Sequence, residues 1–246
     1  MKRIFVGITG ASGHAYAAAL IRALARAGVA VDVSVTEAGC KVLRHELGVD
    51  AGVRGERLTA GSTHAAEELA RWLGADVAAR VRVFESGAIE APPSSGTSLS
   101  GGVVLVPCSM GTLARVSAGF SSNLVERAAD VALKEGRTLI LVPREAPYSA
   151  IHLENMLRLA RLGAVILPAS PGFYHRPKSI EDLVGHIVGK LLDRLGIPHE
   201  VSARWQGLAP AAEDPGTGAP PPPDPLRPLA PPESPRGSSS GAGERG

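Results

Sequence analysis

Four short segments of this 246-residue chain gather the residue types that hold anions and move protons. The first, Ile8-Thr-Gly-Ala-Ser-Gly13, is a run of small residues between an apolar stretch and a helical one. A turn of that kind, opening a helix beyond a strand's end, presents backbone N–H groups to an anion. Its glycines, Gly7, Gly10 and Gly13, do not keep the spacing of a dinucleotide fingerprint. Ser12 offers its hydroxyl either to a ligand or to the helix as an N-cap. The second segment, Pro107-Cys-Ser-Met-Gly-Thr112, repeats the pattern, so Ser109, Gly111 and Thr112 are candidates to cradle another part of the same ligand. Thr36, ending another β-branched run, adds a third contact from the same edge. In the third, Val142-Pro-Arg-Glu-Ala-Pro147, the planar fork of Arg144 suits a carbonyl or phosphate. Glu145 beside it reads either as an acid or base or as half of a local ion pair. The fourth, Pro171-Gly-Phe-Tyr-His-Arg-Pro177, carries Tyr174, whose hydroxyl suits a phosphate while its ring packs on an apolar group; a core aromatic is the alternative.

Other polar residues read more plainly. Arg127, Asp130 and Lys134 fall at i, i+3 and i+7 on one helical face, the spacing of a solvated salt-bridge row. His14 and His175 have no carboxylate or cysteine at catalytic spacing and read as surface or loop histidines. Cys40 and Cys108 are too few for a disulfide framework and read as buried thiols.

The elements that must position these groups alternate. Short β-branched runs at Arg3 to Ile8, Ala30 to Thr36, Val81 to Phe84, Val103 to Val106, Thr138 to Val142 and Ala164 to Leu167 predict strands. Apolar residues at three- and four-residue spacing predict helices over Ala15 to Ala27, Ala38 to Leu47, Ala65 to Leu73, Asn123 to Glu135, Ile151 to Leu162 and Ile180 to Leu195. This is the pattern of an α/β, Rossmann-like, doubly wound and mainly parallel sheet. Glu85 to Gly102 is polar, proline-bearing and long for a connection, and reads as a flap or a functional loop.

Residues 207–246 hold 11 of the 20 prolines and end in Gly and Ser, with few apolar groups to repay ordering. One domain over residues 1–206 and a disordered tail are expected. A net charge of +2, without a basic stripe, gives no reason to expect nucleic acid. Met1-Lys-Arg-Ile-Phe-Val-Gly7 enters a strand at once and no stretch approaches a membrane span, so a cytoplasmic protein without a membrane segment is expected.

Taken in order, these segments resemble the UbiX/Pad1 family of flavin prenyltransferases. The resemblance is carried by residues 7–13 and 107–112 together with Glu126-Arg-Ala-Ala-Asp-Val-Ala-Leu-Lys-Glu135, Pro143-Arg-Glu-Ala-Pro147, His152-Leu-Glu-Asn-Met-Leu157, Gly163-Ala-Val-Ile-Leu-Pro168 and residues 171–177. It runs from Met1 to about Gln206 and is thin between residues 50 and 100.

The resemblance implies a metal-independent enzyme that joins the prenyl group of a prenyl monophosphate of the dimethylallyl class to N5 and C6 of reduced FMN. The prenylated FMN would serve a UbiD-type decarboxylase. Gly10, Ala11, Ser12, Thr36, Ser109, Met110, Gly111, Thr112 and Arg144 match the family's FMN contacts. Tyr174 and Lys190 match its prenyl-phosphate contacts, and Arg127 and Lys134 its further phosphate-side cations, which displaces the salt-bridge reading of that row. Glu46, Glu145 and Trp205 match residues around the flavin and prenyl group, with Trp205 expected to close over a site between subunits of a large homo-oligomer. Ser12 and Lys134 are counted with these three as catalytic. Lys190 stands in place of the family's usual arginine, Thr36 in place of a serine and Gly136 in place of an arginine.

Two other readings stand beside this one: a flavin-dependent decarboxylase acting directly on an aromatic acid or a cysteinyl substrate, whose relatives share the fold, and a flavin carrier without catalysis. Flavin-dependent cysteine decarboxylases carry a Pro-Ala-Ser-Ala-Asn-Thr type loop, and Pro107 to Thr112 lacks its asparagine. A flavin carrier without catalysis would not need the surplus of cations or the Arg144-Glu145 pair.

Overall fold

In a computed structural model the described residues are 3–49, 68, 71–98 and 100–202. They lie within one compact unit, Met1–Trp205. The strands are β1 (Arg3–Ile8), β2 (Ala30–Val35), β3 (Val81–Glu85), β4 (Ser100–Cys108), β5 (Leu139–Pro143) and β6 (Val165–Ile166). The helices are α1 (His14–Arg26), α2 (Glu37–Leu47), α3 (Ala75–Ala78), α4 (Met110–Ser117), α5 (Leu124–Lys134), α6 (Ala150–Arg161) and α7 (Ile180–Leu195).

Residues 4–8, 103–106 and 139–143 of the central strands are continuous apolar runs because the sheet is covered on both faces, whereas β2 carries Asp32 and Ser34 and β3 carries Arg82 and Glu85. All pairings are parallel, in the order β3-β2-β1-β4-β5-β6. Along β1, Ile4, Val6 and Ile8 face one core with Leu20, Leu24, Leu191 and Leu192. Phe5 faces the other core, with Leu113, Leu124, Val125 and Leu159. Between them Gly7 allows α5 to settle on the sheet: a Cβ there would stand 2.7 Å from Val125 and 2.6 Å from Leu105.

The chain builds outward from β1 to β3, then crosses back to place β4 on the other side of β1. Strand order reverses between β1 and β4, so the loops leaving their carboxyl ends part and leave a crevice. The long connection after β3 is not loose. Its single 3-10 turn, Pro92–Ser94, packs along α5. There the Ser86 carbonyl accepts the Leu124 N–H at 2.7 Å, and the Ser94 carbonyl accepts Arg127 Nε at 3.2 Å.

Most element bounds follow the sequence pattern. β6 is two residues long where four were expected, and α4 and α3 occupy stretches for which no helix was drawn. Most of the helix expected over residues 65–73 lies outside the described residues, although residues 71–73 are helical. The tail from residue 207 onward also lies outside them.

Candidate functional site

Three of the four chemistry-bearing segments meet at the carboxyl edge of the sheet, and a residue not singled out from sequence joins two of them. Thr9 is fully buried. Its hydroxyl donates to the Pro107 carbonyl at 2.9 Å and accepts the Ser109 N–H at 2.7 Å, lacing the loop after β1 to the loop after β4. On the other side the Thr36 N–H donates to the Ile8 carbonyl at 2.9 Å. Gly10 lies so close to α2 that a Cβ would stand 2.6 Å from the Ala38 Cβ. The next strand end joins through the Arg144 N–H, which donates to the Cys108 carbonyl at 3.4 Å. Gly10, Ala11, Ser12, Thr36, Ser109, Met110, Gly111, Thr112 and Arg144 therefore stand on adjacent strand ends. Ser12, Gly111 and Arg144 are exposed, whereas Ala11, Met110 and Thr112 are buried.

The hydroxyls in this cradle are held by local structure. Thr36 caps α2, accepting the Gly39 N–H at 3.1 Å, and Ser109 caps α4, accepting the Thr112 N–H at 3.3 Å. Each keeps an O–H to donate. Ser109 donates to the Thr112 hydroxyl at 3.1 Å, and Arg115 reaches the same oxygen at 3.3 Å. Arg115 is in turn gripped by Glu126, a fully buried carboxylate that also accepts from the Ser122 N–H at 3.0 Å and hydroxyl at 2.6 Å. Burial pushes the Glu126 carboxyl up, but the bonds from Ser122 and Arg115 prevail and hold it below the ordinary carboxylate range. Cys108, beside this network, is buried, and its thiol is pushed up to about 12 by burial, with the Arg115 charge opposing.

The first loop departs from expectation. Rather than lying open to an anion, the N–H groups of Gly13 and His14 donate to the carboxylate of Glu46, at 3.1 and 3.0 Å to Oε2. The protein's own anion sits on the positive end of α1. Ser12 is not the N-cap, a place taken by Gly13 with φ 111°. His14 is fully buried, not a surface histidine, and its Nδ1 stands 3.2 Å from Glu46 Oε2. Burial lowers the His14 pKa more than the Glu46 charge raises it. For Glu46, burial raises the pKa, but hydrogen bonds from Ser12, His14 and Gly13 overcome this and lower it.

The remaining candidates form separate groups. Glu145 is exposed and does not pair with Arg144; its Oε1 accepts the Ala146 N–H at 3.0 Å. Arg127 bonds Asp130 at 2.7 Å and Lys134 pairs with Glu135, so the helical row does form local ion pairs, set against the connection after β3. Tyr174 is 55% exposed and packs edge-on to His186, one helical turn before Lys190 on α7. Trp205 lies outside the described residues. The cradle residues share adjacent strand ends, while Tyr174 and Lys190 both lie beside His186.

A parallel sheet with a cradle of hydroxyls and glycines at its switch point has the form of a nucleotide-binding α/β protein, and the family model described as Flavoprotein, which matches residues 1–192, makes it a flavoprotein. At 47% identity over 204 residues, covering 83% of this chain and 94% of the relative, the chain is similar to the flavin prenyltransferase UbiX of Pseudomonas aeruginosa. The chain belongs to the UbiX family of flavin prenyltransferases. Among solved structures it is similar to AnUbiX (PadA1) in complex with FMN and dimethylallyl pyrophosphate, at a TM-score of 0.72 and 35% identity, covering 85% of this chain and 99% of that one. It is also similar to a dodecameric FMN-dependent UbiX-like decarboxylase from Escherichia coli O157:H7, at a TM-score of 0.69 and 38% identity, covering 83% and 100%.

Proposed function

We propose that this chain transfers the prenyl group of a dimethylallyl monophosphate to reduced FMN and supplies the product to a UbiD-type decarboxylase. The observation that carries the reading is the donor set of the strand-end cradle. Hydroxyls of Ser12, Thr36, Ser109 and Thr112, the close-packed backbone at Gly10 and the exposed Arg144 suit the phosphate, ribityl chain and carbonyls of FMN. In the reaction the allylic C–O bond breaks and phosphate leaves with the electron pair while N5 bonds the allylic carbon and gives up its proton. The bond to C6 forms as the prenyl double bond takes up a proton and C6 gives one up.

The chain's residues then divide the work. Tyr174 and Lys190 hold the donor phosphate. Arg127 and Lys134 add positive charge for the leaving group once they exchange Asp130 and Glu135 for phosphate. Arg144 orients the flavin. Glu145, exposed beside it, accepts a proton. Glu46, kept ionised by its hydrogen bonds, anchors the first loop through Gly13 and His14 and is suited to base rather than acid work. Trp205 closes over the site from a neighbouring subunit and shelters the allylic cation by cation–π attraction. The exposed Leu153 and Leu157, four residues apart on α6, offer an apolar strip for such a homo-oligomer. We assign the activity to residues 1–206 and none of it to residues 207–246, and place the protein in the cytoplasm. No helix among the described residues is long and apolar enough to cross a membrane.

A second reading, direct decarboxylation, is favoured by the decarboxylase description of the Escherichia coli relative. Incubation with reduced FMN and dimethylallyl monophosphate, followed by absorbance and mass of the released flavin, separates the two. A flavin heavier by one prenyl unit is expected. Unmodified flavin together with release of CO₂ from an aromatic acid would overturn the transferase reading, and unmodified flavin with neither product would mark a carrier.

A further inference from the structure

Around Tyr174 the aromatic packing is more elaborate than an exposed loop tyrosine requires. Its ring stands edge-on to His175 at 5.6 Å and to His186 at 5.5 Å, and the two imidazoles stack on each other at 4.9 Å with their planes 4° apart. His186 is 8% exposed and rooted in α7. Neither ring nitrogen of His175 finds a hydrogen-bond partner, although both are buried, so its ring is held by stacking. Gly172 makes room for the arrangement: a Cβ there would stand 2.8 Å from Tyr174 Cε1.

We propose that His186, with His175 stacked on it, is a positioning residue that fixes where Tyr174 presents its hydroxyl and so sets the affinity for the prenyl phosphate. The inference rests on the reading of Tyr174 as a donor contact. Two perpendicular ring edges confine the tyrosine ring against rotation and tilt, contacts that an aliphatic residue would not supply. The anchor is shared, because Lys190 lies one turn beyond His186 on the same helix. A rigid anchor thus fixes the spacing between the hydroxyl and the ammonium, and a phosphate gripped by both is sensitive to that spacing. Burial, then the charges of Lys190 and His175, lower the His186 pKa.

The test compares Tyr174→Phe, His186→Ala and His186→Phe by steady-state kinetics over dimethylallyl monophosphate concentration, with FMN affinity measured on the same preparations. His186→Ala is expected to raise the donor KM about tenfold with kcat and FMN affinity nearly unchanged, and His186→Phe, which keeps an aromatic edge, to restore it. An unchanged KM in His186→Ala, alongside a raised KM in Tyr174→Phe, would overturn the positioning role and leave the donor contact standing. An unchanged KM in Tyr174→Phe would instead remove Tyr174 from the donor site and the inference with it. Loss of KM, kcat and FMN affinity together, unrescued by phenylalanine, would reduce His186 to a core residue. Should His186→Ala fail to fold, His175→Ala removes the stack from the loop side, and an unchanged KM there overturns the proposal equally.

Discussion

Glu145 stands exposed just after β5, and its carboxylate bonds the N–H that follows it rather than the guanidinium beside it. A glutamine can keep that bond through its amide oxygen, so Glu145→Gln is expected to leave the loop and FMN binding intact. If the carboxylate takes a proton during prenylation, single-turnover formation of prenylated flavin should slow by ~10²-fold to 10⁴-fold. Normal turnover in a variant that binds FMN normally would pass that task to Glu46 and the released phosphate. At this scale the sequence showed residue types but not their partners. His14 looked unpartnered because Glu46 is 32 positions away, and Thr9 drew no reading of its own because the atoms it laces lie about a hundred positions off. A motif marks the residues nearest the ligand; nothing in local spacing marks those that hold the motif in place.

Elements were legible in proportion to how continuous their burial is. β5 is apolar from end to end and β1 from Ile4 onward because sheet lies on either side and helices on both faces, and such runs announce themselves. β6, paired only with β5, is half-buried and therefore short of signal. α4 was not drawn because its eight residues mix cradle residues with core residues, which dilutes the helical period. The same compression makes the junction of the first loop with α2 sensitive. In Gly10→Ala the new methyl must displace the first turn of α2 or the loop itself, since Ala38 stands 2.6 Å away. Overpacking of this kind costs about 1–3 kcal/mol, on the order of 2–10 °C in thermal midpoint for a chain of this size. The displaced loop carries Ala11 and Ser12, so FMN affinity should fall by at least about tenfold. A calorimetric melt and an FMN titration check both, and an unchanged affinity with a lowered midpoint would take the first loop out of the flavin site.

For the molecule as a whole, His14, Glu46 and Glu126 act in one direction on acidification. The folded protein keeps His14 neutral at a pKa below its ordinary 6.5, whereas the unfolded chain takes up a proton near that value. The unfolded state thus binds more protons, and stability is lost as pH falls from about 6.5 toward the depressed folded value. Glu46 and Glu126 have folded pKa values below the ordinary 4.5, so their contribution is complete above that pH and is lost as pH falls through the folded values. The thermal midpoint is therefore expected to fall in two stages on acidification, one beginning near pH 6.5 and one below about 4.5. His14→Phe should reduce the first stage, leaving the share of His186, whose pKa is also lowered. Glu126→Gln should weaken the second and also lower the midpoint at neutral pH, because the Arg115 guanidinium then faces an amide that cannot balance its charge. Midpoints recorded from about pH 2.5 to 8 at fixed ionic strength test the pair. If the wild type is flat between pH 7 and 5.5, His14 must keep its proton equilibrium on folding. The α1 terminus would then be held by the Glu46 carboxylate alone, with no share in its acid sensitivity from the imidazole beneath it.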